Sequence, residues 1–306
     1  MGTGTGVSMA EHGTQPSSLR YAIEAAGIRA LFRLLGLLPA DMASDFGGWI
    51  GRTLGPRIGG NAKVLRNLER AMPQLDAAGR RRVARESWDN LCRTLAEYPH
   101  LKTISREWEQ RVELIGAEHV RGLMTDGKPG VILTGHFGNW ELVAMTVFKC
   151  GATMTAIYRA PNNPSVDKLL AEARGELGTT LVPKGRASAK GILAAMRAGG
   201  ILGILADQKL NEGIAVPFLG HDAMTGTIAG DVVVRHGAVV VPMRVTRKPR
   251  GARFRIEVFP PMDLPAPTGD RPADIRAITV AVNQLLERWV LENPGQWLWT
   301  HRRWPK

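Results

Sequence analysis

The sequence predicts an α/β fold, a largely parallel central sheet flanked by helices, entered through a helical N-terminal segment. Three observations carry that reading. After residue 130, short apolar runs alternate with amphipathic stretches, the pattern of a parallel sheet covered on both faces. Before residue 126 the periodicity is helical. A length of 306 residues with 44% hydrophobic content suffices for one sizeable core, and no internal repeat or second domain boundary interrupts it.

Residues 1–18 hold Gly2, Gly4, Gly6, Gly13 and Ser17-Ser18 without an apolar run, and are expected to be disordered. They lack the features of a secretory signal, and Met9 is an alternative start. Residues 19–125 are read as a helical N-terminal region and 126–306 as the α/β catalytic core, together one structural unit. On a helical projection of residues 20–38, Ile23, Ile28, Leu31, Leu34, Leu35 and Leu38 fall within a wide apolar arc, while Arg29 and Arg33 share the remaining gap. Arg20, Glu24, Arg29 and Arg33 break the run needed for a simple membrane span. An interfacial helix with arginines at lipid phosphates fits that pattern. A helix packed on the protein's own core is the competing reading.

From 61 to 98 the pattern is helical, with Lys63, Arg66, Arg70, Arg80, Arg81, Arg82 and Arg85 forming a basic surface. Strands are predicted at 130–135, 152–158, 179–183, 201–206, 238–245 and 253–259. Helices are predicted at 139–149, 164–177, 187–198, 227–236 and 272–292. The last two strands, joined by Lys248-Pro249-Arg250-Gly251, read as an antiparallel hairpin.

The chemistry concentrates at Gly130-Val131-Ile132-Leu133-Thr134-Gly135-His136-Phe137-Gly138-Asn139-Trp140-Glu141. A buried strand delivers His136 at the carboxyl edge of the sheet, where open α/β sheets bind ligands. Glu141 follows five residues later as a helix begins. A histidine there can take a proton from a hydroxyl and return one to a leaving group, and a carboxylate on its other nitrogen would fix the tautomer. Amides near 138–141, Gly138 and Asn139 among them, would point at a developing oxyanion. Two further strand ends converge on the same edge. Arg159 would clamp a phosphate or steady the oxyanion. Asp207 would orient His136 in competition with Glu141, or pair with Arg159. Asn139 and Gln208 are candidate donors or helix caps.

The segment Thr134–Glu141 resembles the His-x4-Asp/Glu signature of the bacterial lipid A biosynthesis acyltransferases, the lauroyl and myristoyl transferases of the lysophospholipid acyltransferase superfamily. Further similarities follow in order: Arg66-Asn67-Leu68 with Pro73, Asn90-x2-Arg93-x3-Glu97, Tyr158-Arg159 with Asn163-Pro164, and Asp207-Gln208 before Pro217-Phe218-Leu219-Gly220. The closing Trp297-Leu298-Trp299-Thr300-His301-Arg302-Arg303-Trp304 completes a resemblance over roughly residues 20–304. It implies a glycerolipid-acyltransferase-like fold with a membrane-anchoring N-terminal helix at the cytoplasmic face of the bacterial inner membrane. It also implies acyl carrier protein as donor and a phosphorylated glucosamine lipid A precursor as acceptor. No cofactor is expected beyond acyl-ACP or acyl-CoA as co-substrate, and no metal. The alternative is acylation of another glycolipid or a lysophospholipid, for example a mannosylated phosphoinositide, from acyl-CoA.

The formal charge of +12 favours an anionic partner. Nucleic acid would explain the charge but not His136, and no helix-turn-helix or zinc-finger pattern occurs. Cys92 and Cys150 form no framework and suit a reducing compartment; a nucleophilic role for either is disfavoured. No Gly-x-Ser-x-Gly elbow exists to carry an acyl-enzyme. Eight tryptophans against three tyrosines suit a membrane interface or a core equally.

Overall fold

The computed structural model describes residues 18–158, 161–174, 179–183 and 186–305. Of the stretch expected to be disordered, residues 1–17 lie outside it, as does Arg159. The described residues open with the helices α1 (Ser18–Gly36), α2 (Ala40–Leu54), α3 (Asn61–Ala71) and α4 (Ala77–Glu97). The 61–98 pattern divides after Ala71, and Asp76 caps α4 by accepting from the Gly79 amide at 2.6 Å. Two short helices, α5 (Leu101–Arg106) and α6 (Trp108–Arg111), lead into β1 (Val112–Ile115) and α7 (Ala117–Gly122). The core follows as β2 (Gly130–Thr134), α8 (Leu142–Lys149), β3 (Met154–Tyr158), α9 (Pro164–Arg174), β4 (Thr179–Pro183), α10 (Arg186–Arg197) and β5 (Ile201–Leu205). It closes with β6 (Ile214–Phe218), β7 (His221–Thr225), α11 (Ile228–His236), β8 (Val239–Arg247), β9 (Phe254–Val258) and α12 (Arg271–Glu292).

Among the described residues seven strands form one sheet in the order β1-β9-β8-β2-β5-β3-β4, parallel throughout except for the β8–β9 hairpin. Strand β2 lies at its centre with all five residues buried, as a continuous apolar run requires. Alternate residues feed opposite faces. Val131 and Leu133 join Leu202, Ile204 and Val240 beneath α3, α4, α11 and α12, whereas Ile132 joins Met154, Val241 and Met243 beneath α5 and α8.

Strands β1, β6 and β7 escape the sequence pattern. Strand β1 has four residues, too few to establish a period. The β6–β7 ribbon turns at Leu219-Gly220, both with positive φ, where a hairpin is usually announced by Asn-Gly or Asp-Gly. The cost of a left-handed leucine is offset by Glu287, which accepts from the Leu219 amide.

Helix α1 buries Ala25 and Leu35 and stacks Phe32 on Tyr98 at 6.0 Å, leaving Leu19, Ile23, Leu31 and Leu34 exposed, as is Leu37 just beyond its end. Helix α2 is apolar on the outside. Its small residues Ala43, Ser44, Gly47, Gly48 and Gly51 are buried, while Met42, Phe46 and Trp49 stand outward at helical spacing. Trp49, at 55% exposure, is the most exposed of the eight tryptophans; six of the others are core. Among the described residues no helix is long and apolar enough to cross a membrane.

Candidate active site

The register of β2 against β5 builds the site. Thr134 pairs with Leu205, so His136 and Asp207 each lie two residues beyond a matched pair of parallel strands and emerge side by side. Gly135 permits the approach: a Cβ there would meet the Asp207 carboxylate carbon at 3.2 Å and the Phe137 ring at 2.8 Å. The His136 main-chain amide donates to Asp207 Oδ2 at 2.7 Å, and ring Nδ1 lies 2.8 Å from Oδ1. The Trp297 indole N–H donates to Oδ2 at 2.8 Å.

Asp207 is wholly buried. Burial would raise its carboxyl, but the charge of His136 and the hydrogen bonds from that residue outweigh this and hold it well below the usual carboxylate range. A carboxylate only accepts, so Nδ1 is the donor and the neutral ring presents a lone pair at Nε2. The imidazole is 15% exposed, enough to be reached, and the edge of Trp140 packs on it at 5.0 Å. Gln208 Nε2 lies 3.1 Å from His136 Nε2.

The segment 297–304 holds this pair from beneath. The Leu298 amide donates to the His136 carbonyl at 3.2 Å, and His301 Nε2 to the Asp207 carbonyl at 3.2 Å. Arg303 Nη1 donates to the Gln208 carbonyl at 3.3 Å, while Nη2 reaches Thr225 and Asn283. Burial pushes His301 down to about 4 and Arg303 down to about 10. Trp297, His301 and Arg303 are absent from the site residues that the sequence predicts. Beyond the likeness of the closing run to the family, their signal in the sequence is a dense aromatic and basic stretch, whose hydrogen bonds to Asp207 and Gln208 are tertiary.

Glu141, expected beside His136, is instead bonded elsewhere. Its carboxylate accepts from Arg174 Nε at 2.8 Å, Arg174 Nη2 at 2.9 Å and the Tyr98 hydroxyl at 2.7 Å. The reason is local: residues 139–141 form a turn and α8 begins only at Leu142, so Glu141 is carried to the α9 side. Gly138 takes φ +52°, and a Cβ there would meet the Val245 carbonyl at 2.6 Å. Its N–H is spent on the Gln296 carbonyl, and the Glu141 N–H on Asn139 Oδ1. Of the amides expected to face an oxyanion, those of Gly138 and Glu141 are thus already bonded within the protein. Asn139 is likewise committed, its side-chain amide donating to Glu97 at 2.9 Å in a fully buried setting.

That Glu97 belongs to a buried ionic network with Arg247, which also bonds Asn90 and Thr94. Asn90 and Thr94 in turn both donate to the Gly138 carbonyl at 3.0 Å. Thus Asn90 and Glu97 of the Asn90-x2-Arg93-x3-Glu97 motif brace the turn that follows His136, while Arg93 ties α4 to α2 through Asp45 and Ser44. Burial pushes both the Cys92 and Cys150 thiols up, which disfavours a thiolate at either.

An imidazole oriented by a buried carboxylate at the edge of a parallel sheet suits an enzyme that activates a hydroxyl for group transfer. The chain belongs to the bacterial lipid A biosynthesis acyltransferase family, whose model matches residues 9–306. It is similar to the lipid A biosynthesis lauroyltransferase of Escherichia coli K12, 28% identical over 295 residues that cover 93% of this chain and 92% of that protein. The lipid A biosynthesis palmitoleoyltransferase of the same organism is 24% identical over 82% of this chain and 83% of its own. The phosphatidylinositol mannoside acyltransferase of Mycolicibacterium smegmatis is 22% identical over 91% of this chain and 90% of its own. The chain is therefore an acyltransferase of the lipid A biosynthesis type.

Proposed function

We propose that this acyltransferase moves a fatty acyl group from a thioester on acyl carrier protein to a hydroxyl of a phosphorylated glucosamine lipid A precursor, with His136 as general base. The observation that carries the reading is the His136–Asp207 pair, which leaves the Nε2 lone pair at the accessible rim. Nε2 takes the hydroxyl proton as the oxygen bonds to the thioester carbonyl carbon. The tetrahedral intermediate then collapses, the C–S bond breaks, and the thiolate receives the proton from His136. Asp207 steadies the imidazolium that exists between these steps. The Gln208 amide supports the oxyanion, and Arg159 is assigned to it or to an acceptor phosphate. Glu141 and Asn139 hold the turn at Gly138 rather than touching the reacting atoms.

A net charge of +12 suits both an acidic carrier and a phosphorylated acceptor. The outward faces of α1 and α2, with Arg29, Arg33 and Arg52 also exposed, suit the surface of an anionic inner membrane from its cytoplasmic side. Mass spectrometry of lipid A from cells with and without the gene tests the reading: loss of one secondary acyl chain is expected, and an unchanged lipid A rejects it. The resemblance to a phosphatidylinositol mannoside acyltransferase supports a second reading, in which a mannosylated phosphoinositide is the acceptor and acyl-CoA the donor; thin-layer assays with both acceptors separate the two. Deleting residues 1–38 is expected to weaken binding to anionic vesicles more than it weakens chemistry on detergent-dispersed lipid. Equal vesicle binding with and without them rejects the membrane contact.

A further inference from the structure

The lone pair that His136 turns outward already has a partner within the protein. Nδ1 is committed to Asp207 as donor, so Nε2 accepts, and the Gln208 side-chain amide donates to it at 3.1 Å. The Gln208 side chain is exposed, yet its main chain is fixed: its carbonyl accepts from the buried Arg303, and Asp207 before it is fully buried. Gln208 is thus a pinned backbone with a movable amide at its tip. That amide occupies the place where an attacking hydroxyl must lie, because the hydroxyl has to hand its proton to the same lone pair.

We propose that Gln208 guards the base, yielding Nε2 to a seated lipid acceptor and withholding it from water. This inference rests on the general-base reading above. An acceptor lipid makes other contacts, and binding energy from those remote parts can displace the amide. Water has no such contacts. Without a guard, water at Nε2 would give up a proton there while its oxygen bonds to the thioester carbonyl carbon. The C–S bond would break, the thiolate would take the proton from His136, and free fatty acid and thiol would leave. The guard suppresses that idle hydrolysis and reappears in transfer as a higher acceptor KM, since at saturating acceptor the amide is already displaced.

Gln208→Ala and Gln208→Met in the full chain test this, with dodecanoyl acyl carrier protein as donor and a phosphorylated glucosamine disaccharide lipid in detergent as acceptor. The ratio of acceptor-free hydrolysis to kcat at saturating acceptor is expected to rise up to about tenfold in both variants, with acceptor KM falling by a similar factor. Weaker support of the oxyanion without the amide slows both reactions alike and cancels in the ratio. Methionine keeps the bulk of glutamine but has no N–H, so a methionine variant that behaves as wild type overturns the hydrogen-bond guard, as does an unchanged ratio and KM in both variants. The ¹⁵N resonance of His136 Nε2 in the substrate-free protein is expected to shift on Gln208→Met, and an unmoved resonance also overturns the proposal. If the wild-type protein acylates no such lipid, the acceptor assignment fails, and the Nε2 resonance still decides the guard by itself.

Discussion

Asp207 and Glu141 are buried carboxylates that flank one loop, and the fold gives them opposite work. Asp207 stands 71 positions from His136 in sequence and bonds both its ring and its main-chain amide. Glu141 stands five positions away and bonds neither; Arg174 and Tyr98 take both of its oxygens. Tyr98 also stacks on Phe32, so the Glu141 side ties α1 and α9 to the core, while the Asp207 side serves the imidazole. Strand register, not nearness in the chain, decides which acid serves the base.

The largest effect expected from this contrast is on turnover. Asp207→Asn leaves the shape intact but no longer selects the Nδ1–H tautomer, and kcat should fall by about 10³-fold or more, approaching His136→Ala, with both variants folded by circular dichroism. Glu141→Gln compared at equal folded fraction should lose far less; an equal loss would break the contrast and return Glu141 to the imidazole.

Acid sensitivity should belong to the Asp207 side. Burial depresses His301 from 6.5 to about 4, so between those values the unfolded chain binds a proton that the folded one does not. Stability therefore falls as pH drops from 6.5 to about 4, by about 3 kcal/mol, and this contribution levels off below that. Asp207, whose carboxyl is lowered, adds its own loss only below the ordinary carboxylate range. Urea midpoints for wild type and His301→Asn, whose amide still reaches the Asp207 carbonyl, should converge as pH falls through that window; parallel curves would reject the assignment.

The smallest effect is on the Glu141 side. Glu141→Gln leaves Arg174, itself 21% exposed, without its counter-charge and should cost about 2 kcal/mol in the urea midpoint. A loss below a few tenths would mean that the ion pair holds nothing.

Much of this arrangement is legible in the sequence. The apolar run 130–135 and the alternation after it announce β2, β3, β5 and the helices between, and with them the arrival of His136 and Asp207 at one edge. Choosing between two acids is not legible, because the answer depends on the pairing of Thr134 with Leu205 and on a turn at 139–141 that reads as helix. Nor is the role of Trp297, His301 and Arg303, whose bonds to Asp207 and Gln208 span about 90 residues and obey no local period. The inside-out character of α2 is written in Gly47, Gly48 and Gly51, but only their burial reveals which face turns inward.

The strap formed by residues 297–303 has a consequence for biogenesis. While that stretch is still inside the ribosomal tunnel, the emerging polypeptide already contains its base, its acid and the whole sheet, yet the indole, imidazole and guanidinium that support them are missing. A nonsense codon anywhere shortly upstream of Trp297 would leave translation products with a nearly complete scaffold and an unsupported proton-transfer centre.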